Sequence, residues 1–218
     1  MNFYPFCGVY MWIEEHRDWE SVDYAPLLSG HLFPPEFMWG VATASHQIEG
    51  GNTNNWSAFE PHSKSGQLSG DACDHWNRKG EDIQLIKNLN VSHYRFSIEW
   101  SRVEPQQGIW NEEAIQWYSD LVDQLLAKGI QPMATLHHFT HPLWWDEKGA
   151  FEKEENVGDW IRFSVKMFEA LSDRVDWWCT INEPAVFASM GYVLGEFPPG
   201  ERSFKKTKIV STNLMIAH

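Results

Sequence analysis

The chain has 218 residues, 43% hydrophobic and 22% charged, a composition typical of a soluble globular domain with one buried core. Its formal net charge of −13 argues against nucleic acid as a partner, because that affinity comes mainly from Lys and Arg contacts with phosphates. No apolar run approaches the roughly 18 residues of a membrane helix, and the start of the chain lacks the pattern of a secretory signal. We therefore expect no membrane association and a cytoplasmic location.

Residues 1–30 show little periodicity and are predicted to form an N-terminal extension to a domain covering 31–218. From Phe37 onwards, apolar runs of strand length alternate with amphipathic helical segments. Strands are predicted near 37–44, 93–100, 130–136 and 175–181, and helices from about 81, 111, 157 and 206. The polar stretch from about 50 to 70 is long for a loop, and long loops inside compact domains are often functional.

Alternating strand–helix units predict a parallel sheet with helices packed outside it. Polar side chains follow every predicted strand: Gln47 and Glu49, Glu99, His137 and His138, and Asn182 and Glu183. In a (β/α)8 barrel, that end of the strands is the face on which the active site is assembled. We therefore predict an α/β fold, a (β/α)8 TIM barrel of which this chain supplies about the first four βα units. A doubly wound open sheet is the alternative, although no glycine-rich phosphate turn follows the first strand.

The sequence TINEP, which begins at Thr180 and ends the fourth predicted strand, contains the candidate catalytic residue. If its surroundings raise its pKa, Glu183 can stay protonated and donate a proton to a glycosidic oxygen. The neighbouring amide of Asn182 could bind a sugar hydroxyl. The alternative is an ordinary glutamate at a helix N-terminus, where the helix dipole favours a negative charge.

Four segments together resemble glycoside hydrolase family 1, the β-glucosidase family. They are FMWGVATASHQIEG from Phe37, YRFSIEWSR from Tyr94, TLHHFTHP from Thr135 and TINEP from Thr180. They resemble the family's motifs at strands 1 to 4, in the family's order, and the resemblance covers about 33–218. It implies a retaining β-glycosidase that hydrolyses the O-glycosidic bonds of terminal β-D-glycosyl residues. The implied substrate is a small-molecule β-glycoside or oligosaccharide, and no cofactor is implied.

The resemblance also implies roles for five residues. Glu183 matches the general acid/base, and Asn182 matches the asparagine that holds the sugar's 2-hydroxyl. Gln47 and His138 match residues that contact the same sugar. Arg95 matches an arginine beside the nucleophilic carboxylate, where a fixed positive charge keeps that carboxylate ionised. The alternative for Arg95 is a structural ion pair.

Other residues leave alternatives open. Phe139 stands where the family often has Trp, and Thr140 where Asp is common, so these two positions put the substrate preference in question. Trp144 and Trp145 either stack on a leaving group or are buried, and Glu99 either supports the site or is structural. The run His137-His138-x-x-His141 suggests a metal site, but adjacent strand residues face opposite sides and no acidic residue or cysteine completes it. No metal is predicted.

A retaining mechanism needs two carboxylates about 5–5.5 Å apart, and in the family the nucleophile belongs to strand 7. Glu196 and Glu201 lie in the segment just after strand 4 and do not supply it. We therefore interpret the chain as part of a longer enzyme, with the nucleophile in an absent C-terminal half. The alternatives are a truncated, non-catalytic domain that binds a sugar or a protein, and a half-barrel that pairs with another chain. The oligomeric state is left open.

Overall fold

The computed structural model describes residues 33–34 and 37–218. Residue contacts divide the chain into two units, Met1–Phe37 and Met38–His218, and the second contains every candidate site residue. The predicted extension, residues 1–30, lies outside the described residues, so it stays a prediction. None of the helices described is both long enough and apolar enough to cross a membrane.

Four strands alternate with helices along the second unit. The strands are β1 (Gly40–Ala42), β2 (His93–Ser97), β3 (Gln131–His137) and β4 (Trp177–Ile181). The helices are α1 (Ser45–Ile48), α2 (Asn55–Phe59), α3 (His75–Asn88), α4 (Trp100–Val103), α5 (Glu112–Ala127), α6 (Leu143–Glu147), α7 (Val157–Leu171), α8 (Pro184–Ser189) and α9 (Phe204–Ala217). Short 3₁₀ turns cover Glu60–His62, Ala150–Glu152 and Glu154–Asn156, and a π-helical turn covers Met190–Leu194.

The strands form one parallel sheet in the order β1-β2-β3-β4. Its register pairs Ala42 with Arg95, Arg95 with Met133, and Met133 with Trp177, so one row of side chains crosses the sheet on the same face. The helices α3, α5 and α7 connect consecutive strands. Because all four strands run the same way, their C-terminal ends meet at one edge, as predicted for four consecutive βα units.

The core lies between this sheet and the helices. Tyr94 and Phe96 of β2 point to the helical side and are 1% and 2% exposed. The ring of Phe96 stacks on that of Tyr118 in α5, with centroids 6.4 Å apart. The N-terminus of α5 is capped as predicted, because the side chain of Asn111 accepts a hydrogen bond from the backbone N–H of Ala114 at 3.2 Å.

Several element boundaries differ from the sequence predictions. The first strand is shorter than predicted and is not buried, because β1 has β2 as its one partner strand among the described residues and Gly40 and Ala42 are exposed. Helix α3 begins at His75, before the predicted start, but its backbone is kinked at Arg78, with φ −109° and ψ 18°. In the turn before this kink, Trp76 stacks on Trp117 of α5 with centroids 4.3 Å apart. The long polar stretch contains α2, whose N-terminus is closed by a capping box at Asn54.

Candidate functional site

The candidate acid/base, Glu183, lies directly beyond the end of β4. Its side chain is exposed, and its backbone is left-handed, with φ 44° and ψ 58°. Pro184 begins α8, and the backbone N–H of Phe187 donates to the carbonyl of Glu183 at 3.0 Å. A left-handed conformation at a non-glycine residue is costly and persists only where the surrounding structure fixes it, which is common at active sites.

Asn182 and Arg95 meet across the sheet. Asn182 is 6% exposed, and its backbone N–H donates to the carbonyl of His137 at 2.8 Å. Nη1 of Arg95 donates to Oδ1 of Asn182 at 3.3 Å, although one strand separates β2 from β4. Arg95 therefore contacts an amide oxygen at this position, and among the described residues it forms no ion pair with a carboxylate.

His138 follows the last residue of β3 and is half-buried. Burial lowers the pKa of His138 to about 4, and the charge of Arg95 acts in the same direction. The ring is therefore neutral near neutral pH and offers one hydrogen-bond donor and one acceptor, which suits a sugar hydroxyl. The next residue, Phe139, is left-handed with φ 72°, so non-glycine left-handed residues occur just beyond both β3 and β4.

Gln47 lies in α1 with its side chain exposed. In the part of the chain that the structure describes, no hydrogen bond joins Gln47 to the other candidate side chains. Its helix is anchored to β2 instead: the backbone N–H of Ser45 donates to Oγ of Ser97 at 2.7 Å, and that hydroxyl donates to Oγ of Ser45 at 3.0 Å. The structure therefore places Gln47 at the same edge of the sheet as the other candidates, without direct contact.

A buried carboxylate that sequence reasoning left undecided lies beneath these residues. Glu99 is 0% exposed, and its carboxylate accepts hydrogen bonds from Ser45 at 3.1 Å, Ser101 at 2.8 Å and Thr140 at 2.9 Å. Ser45 and Thr140 lie 54 and 41 positions away from Glu99 in the chain, so no local sequence pattern signals these two contacts. Glu99 thereby connects the segments that follow β1, β2 and β3.

Glu49 is a second buried carboxylate close to the first. It is 2% exposed and accepts hydrogen bonds from Oη of Tyr118 at 2.6 Å and from Nε of Arg102 at 2.8 Å. Burial raises the pKa of Glu49 to about 8, and the negative charge of Glu99 acts in the same direction. The hydrogen bonds from Tyr118 and Arg102 offset only part of this rise, so the pKa of Glu49 stays above its ordinary value.

Trp144 and Trp145, in the segment after β3, each donate the indole N–H to a backbone carbonyl. Trp145 is fully buried, and its Nε1–H donates to the carbonyl of Asn156 at 3.2 Å, so stacking of this ring on a leaving group is the wrong alternative. Trp144 is half-buried and donates to the carbonyl of Glu104 at 3.0 Å. Within 33–34 and 37–218, no three His, Cys, Asp or Glu side chains are grouped so that they could hold a metal ion.

The sequence profile of Glycosyl hydrolase family 1 matches residues 29–218. β-Glucosidase A of Thermotoga maritima is 40% identical over 198 residues, which cover 85% of this chain and 44% of that relative. Human lactase/phlorizin hydrolase is 38% identical over 199 residues, covering 85% of this chain and 10% of that relative.

Solved structures agree with the sequence comparisons. A β-glycosidase from Pyrococcus horikoshii matches with a TM-score of 0.81 and 46% identity. The match covers 85% of this chain and 44% of that structure's chain. The Thermotoga maritima β-glucosidase in complex with castanospermine has a TM-score of 0.82 and 39% identity, with the same coverage. The predicted partial (β/α)8 barrel is thus confirmed, and the chain spans about 44% of the length of these relatives. The chain belongs to glycosyl hydrolase family 1.

Proposed function

We propose that this chain carries the acid/base part of a retaining β-glycosidase, with Glu183 as the proton donor. The observation that carries the proposal is the position of Glu183, exposed beyond β4 and next to an asparagine that Arg95 holds. Active sites of TIM-barrel enzymes are assembled at that end of the strands. Membership of a family whose relatives include β-glucosidases supports the reaction class.

In the first step, the carboxyl of Glu183 donates its proton to the glycosidic oxygen while a carboxylate attacks the anomeric carbon. The bond to the leaving group breaks, and a covalent glycosyl–enzyme bond forms. In the second step, the ionised Glu183 accepts a proton from water, whose oxygen displaces the attacking carboxylate. In this proposal that carboxylate belongs to the rest of the barrel. Glu201, in the segment before α9, is paired with Lys206 at 2.5 Å.

Three further side chains bind the sugar in this proposal. The Oδ1 atom of Asn182 accepts from Arg95, which leaves its two Nδ2 hydrogens to donate to the 2-hydroxyl. Neutral His138 and exposed Gln47 contact the other hydroxyls, and the charge of Arg95 keeps the nucleophile ionised. The ligand is a small-molecule β-glycoside or oligosaccharide. In support, the Thermotoga maritima β-glucosidase has been solved with castanospermine and with deoxynojirimycin.

The test needs a barrel with all eight units. We define the completed barrel as this full chain fused to the part of Thermotoga maritima β-glucosidase A that follows the matched region. Glu183→Ala is expected to slow hydrolysis of an alkyl β-glucoside by roughly 10²- to 10⁴-fold, because an alkoxide leaves poorly without a proton. The rate at which Glu183→Ala forms the glycosyl–enzyme from a 2,4-dinitrophenyl β-glucoside should fall far less, since that leaving group needs no proton.

Glu196→Ala is the matched control, since Glu196 is an exposed carboxylate in the segment that follows Glu183. It is expected to leave both rates as they are. Unchanged turnover of the alkyl glucoside by Glu183→Ala would overturn the proposal. A folded completed barrel that binds castanospermine but hydrolyses neither substrate would favour a non-catalytic sugar-binding domain.

A further inference from the structure

We propose that Glu99 is a positioning residue, which holds two sugar-binding segments in place through one hydroxyl from each. Ser45 lies two residues before Gln47, and Thr140 lies two residues after His138. Both hydroxyls donate to the same oxygen, Oε2 of Glu99, at 3.1 Å and 2.9 Å. The inference rests on the proposed function, because Gln47 and His138 bind a sugar only within it.

Glu99 itself is fixed from its other side. Oγ of Ser101 donates to Oε1 of Glu99 at 2.8 Å, and the backbone N–H of Glu99 donates to Oη of Tyr118 at 2.8 Å. No cation among the described residues pairs with this fully buried carboxylate, so hydroxyl groups alone satisfy it. Because an unsatisfied buried charge is costly, each of these hydroxyls is held firmly in place.

Phe139 and Thr140, the two residues that follow His138, are each anchored by a hydrogen bond. Nδ2 of Asn55 donates to the carbonyl of left-handed Phe139 at 3.2 Å. Thr140 supplies the link to Glu99. An ionised aspartate in place of Thr140 would have no proton to donate and would add a second negative charge beside Glu99. The hydroxyl of Thr140 can therefore donate to Glu99, which an ionised aspartate at this position could not do.

Three variants distinguish a positioning role of Glu99 from a general contribution to stability. Thr140→Val removes the hydroxyl while keeping the shape of the side chain, and Thr140→Ser restores the hydroxyl. Glu104→Gln is the matched control, because Glu104 is also 0% exposed. Its carboxylate accepts hydrogen bonds from Trp100 at 2.8 Å, from the backbone N–H of Gly108 at 2.7 Å and from Arg162, none of which lies in a sugar-binding segment.

In the completed barrel, Thr140→Val is expected to lower kcat/KM for the alkyl glucoside by roughly 10- to 100-fold, the scale of a displacement of about 1 Å. Thr140→Ser should recover it. In a His138→Ala background, Thr140→Val should change kcat/KM by less than about threefold, because the two residues act as one unit. Glu104→Gln should lower the melting temperature and leave kcat/KM within about threefold. A Thr140→Val effect that is undiminished in the His138→Ala background would overturn the inference.

A second measurement needs no activity. In NMR spectra of the full 218-residue chain, Thr140→Val should move the ring signals of His138, while Thr140→Ser and Glu104→Gln leave them in place. Should Thr140→Val not fold, Ser45→Ala is the substitute, and the side-chain amide signal of Gln47 is the one expected to move. Unmoved signals in a folded variant contradict the positioning role even if the completed barrel is active. Moved signals with an inactive completed barrel leave the positioning role intact and reject the proposed function.

Discussion

Arg95 and Asn182 are joined by a hydrogen bond of 3.3 Å, although 87 positions separate them in the chain. The same guanidinium also lowers the pKa of His138, after the larger effect of burial. The side chain of Arg95 on β2 therefore acts on two candidate sugar-binding residues, His138 after β3 and Asn182 after β4. It holds the amide of Asn182 by a hydrogen bond and favours the neutral form of His138 by its charge.

The first prediction concerns the ionisation of His138. An NMR titration of the full chain should give His138 a midpoint near pH 4. Arg95→Met should raise that midpoint by removing the nearby positive charge, but burial, the larger cause, should keep it below the ordinary value of 6.5. Arg78→Met is the control, because Arg78 is exposed and paired with Glu81. A midpoint that Arg95→Met does not move would show that the two side chains do not interact.

A second prediction concerns stability against pH. The pKa of Glu49 is about 8 in the folded chain against an ordinary value of 4.5, so between these values the folded state holds a proton that the unfolded state lacks. The contribution of Glu49 to stability is therefore fully present below about pH 4.5 and is lost as the pH rises through 8. The slope reaches up to about 1.4 kcal/mol per pH unit.

Glu49→Gln cannot titrate and should flatten this decline in urea unfolding measured between about pH 5 and pH 8. Glu81→Gln, at an exposed carboxylate paired with Arg78, is the matched control and should keep the slope of the native chain. An equally steep decline in Glu49→Gln would mean that another group causes it.

The third prediction compares adjacent glycines. A Cβ at Gly50, where φ is +80°, would lie 2.2 Å from the carbonyl oxygen of Asp71, whereas a Cβ at Gly51, where φ is +61°, has nothing within 4 Å. Gly51→Ala should therefore cost about 1–2 kcal/mol in free energy of unfolding, from backbone strain alone. Gly50→Ala should cost clearly more, because the backbone must also move. Equal costs in urea unfolding would contradict the close approach of Asp71.

Local patterns predicted part of the fold. The start of α7 at Val157 agrees with the helical periodicity that begins there, and the cap of α5 at Asn111 is a signal carried by one residue. The turn of α3 that precedes the kink at Arg78 was missed; its Trp76 stacks on Trp117, which belongs to another helix. Such a contact has no signature in the sequence of α3 itself.

The candidate site divides in the same way. Resemblance to family motifs identified Glu183 and the other four candidate site residues. The hydrogen bonds around Glu99 depend on contacts between distant segments. Hydroxyl residues such as Ser45 and Thr140 occur everywhere in proteins, so their partners cannot be deduced from residue type. The left-handed backbone of Glu183 was also not predicted, because a non-glycine residue adopts it only when its surroundings impose it.

The most direct test of the central claim follows the product formed by Glu183→Ala in the completed barrel. With a 2,4-dinitrophenyl β-glucoside as substrate, the glycosyl–enzyme should form but hydrolyse slowly, because no base activates water. Azide needs no base, so added azide should accelerate turnover and yield β-glucosyl azide. Acceleration with that product is the predicted result. A Glu183→Ala variant that releases glucose at the native rate, with no effect of azide, would contradict Glu183 as the acid/base.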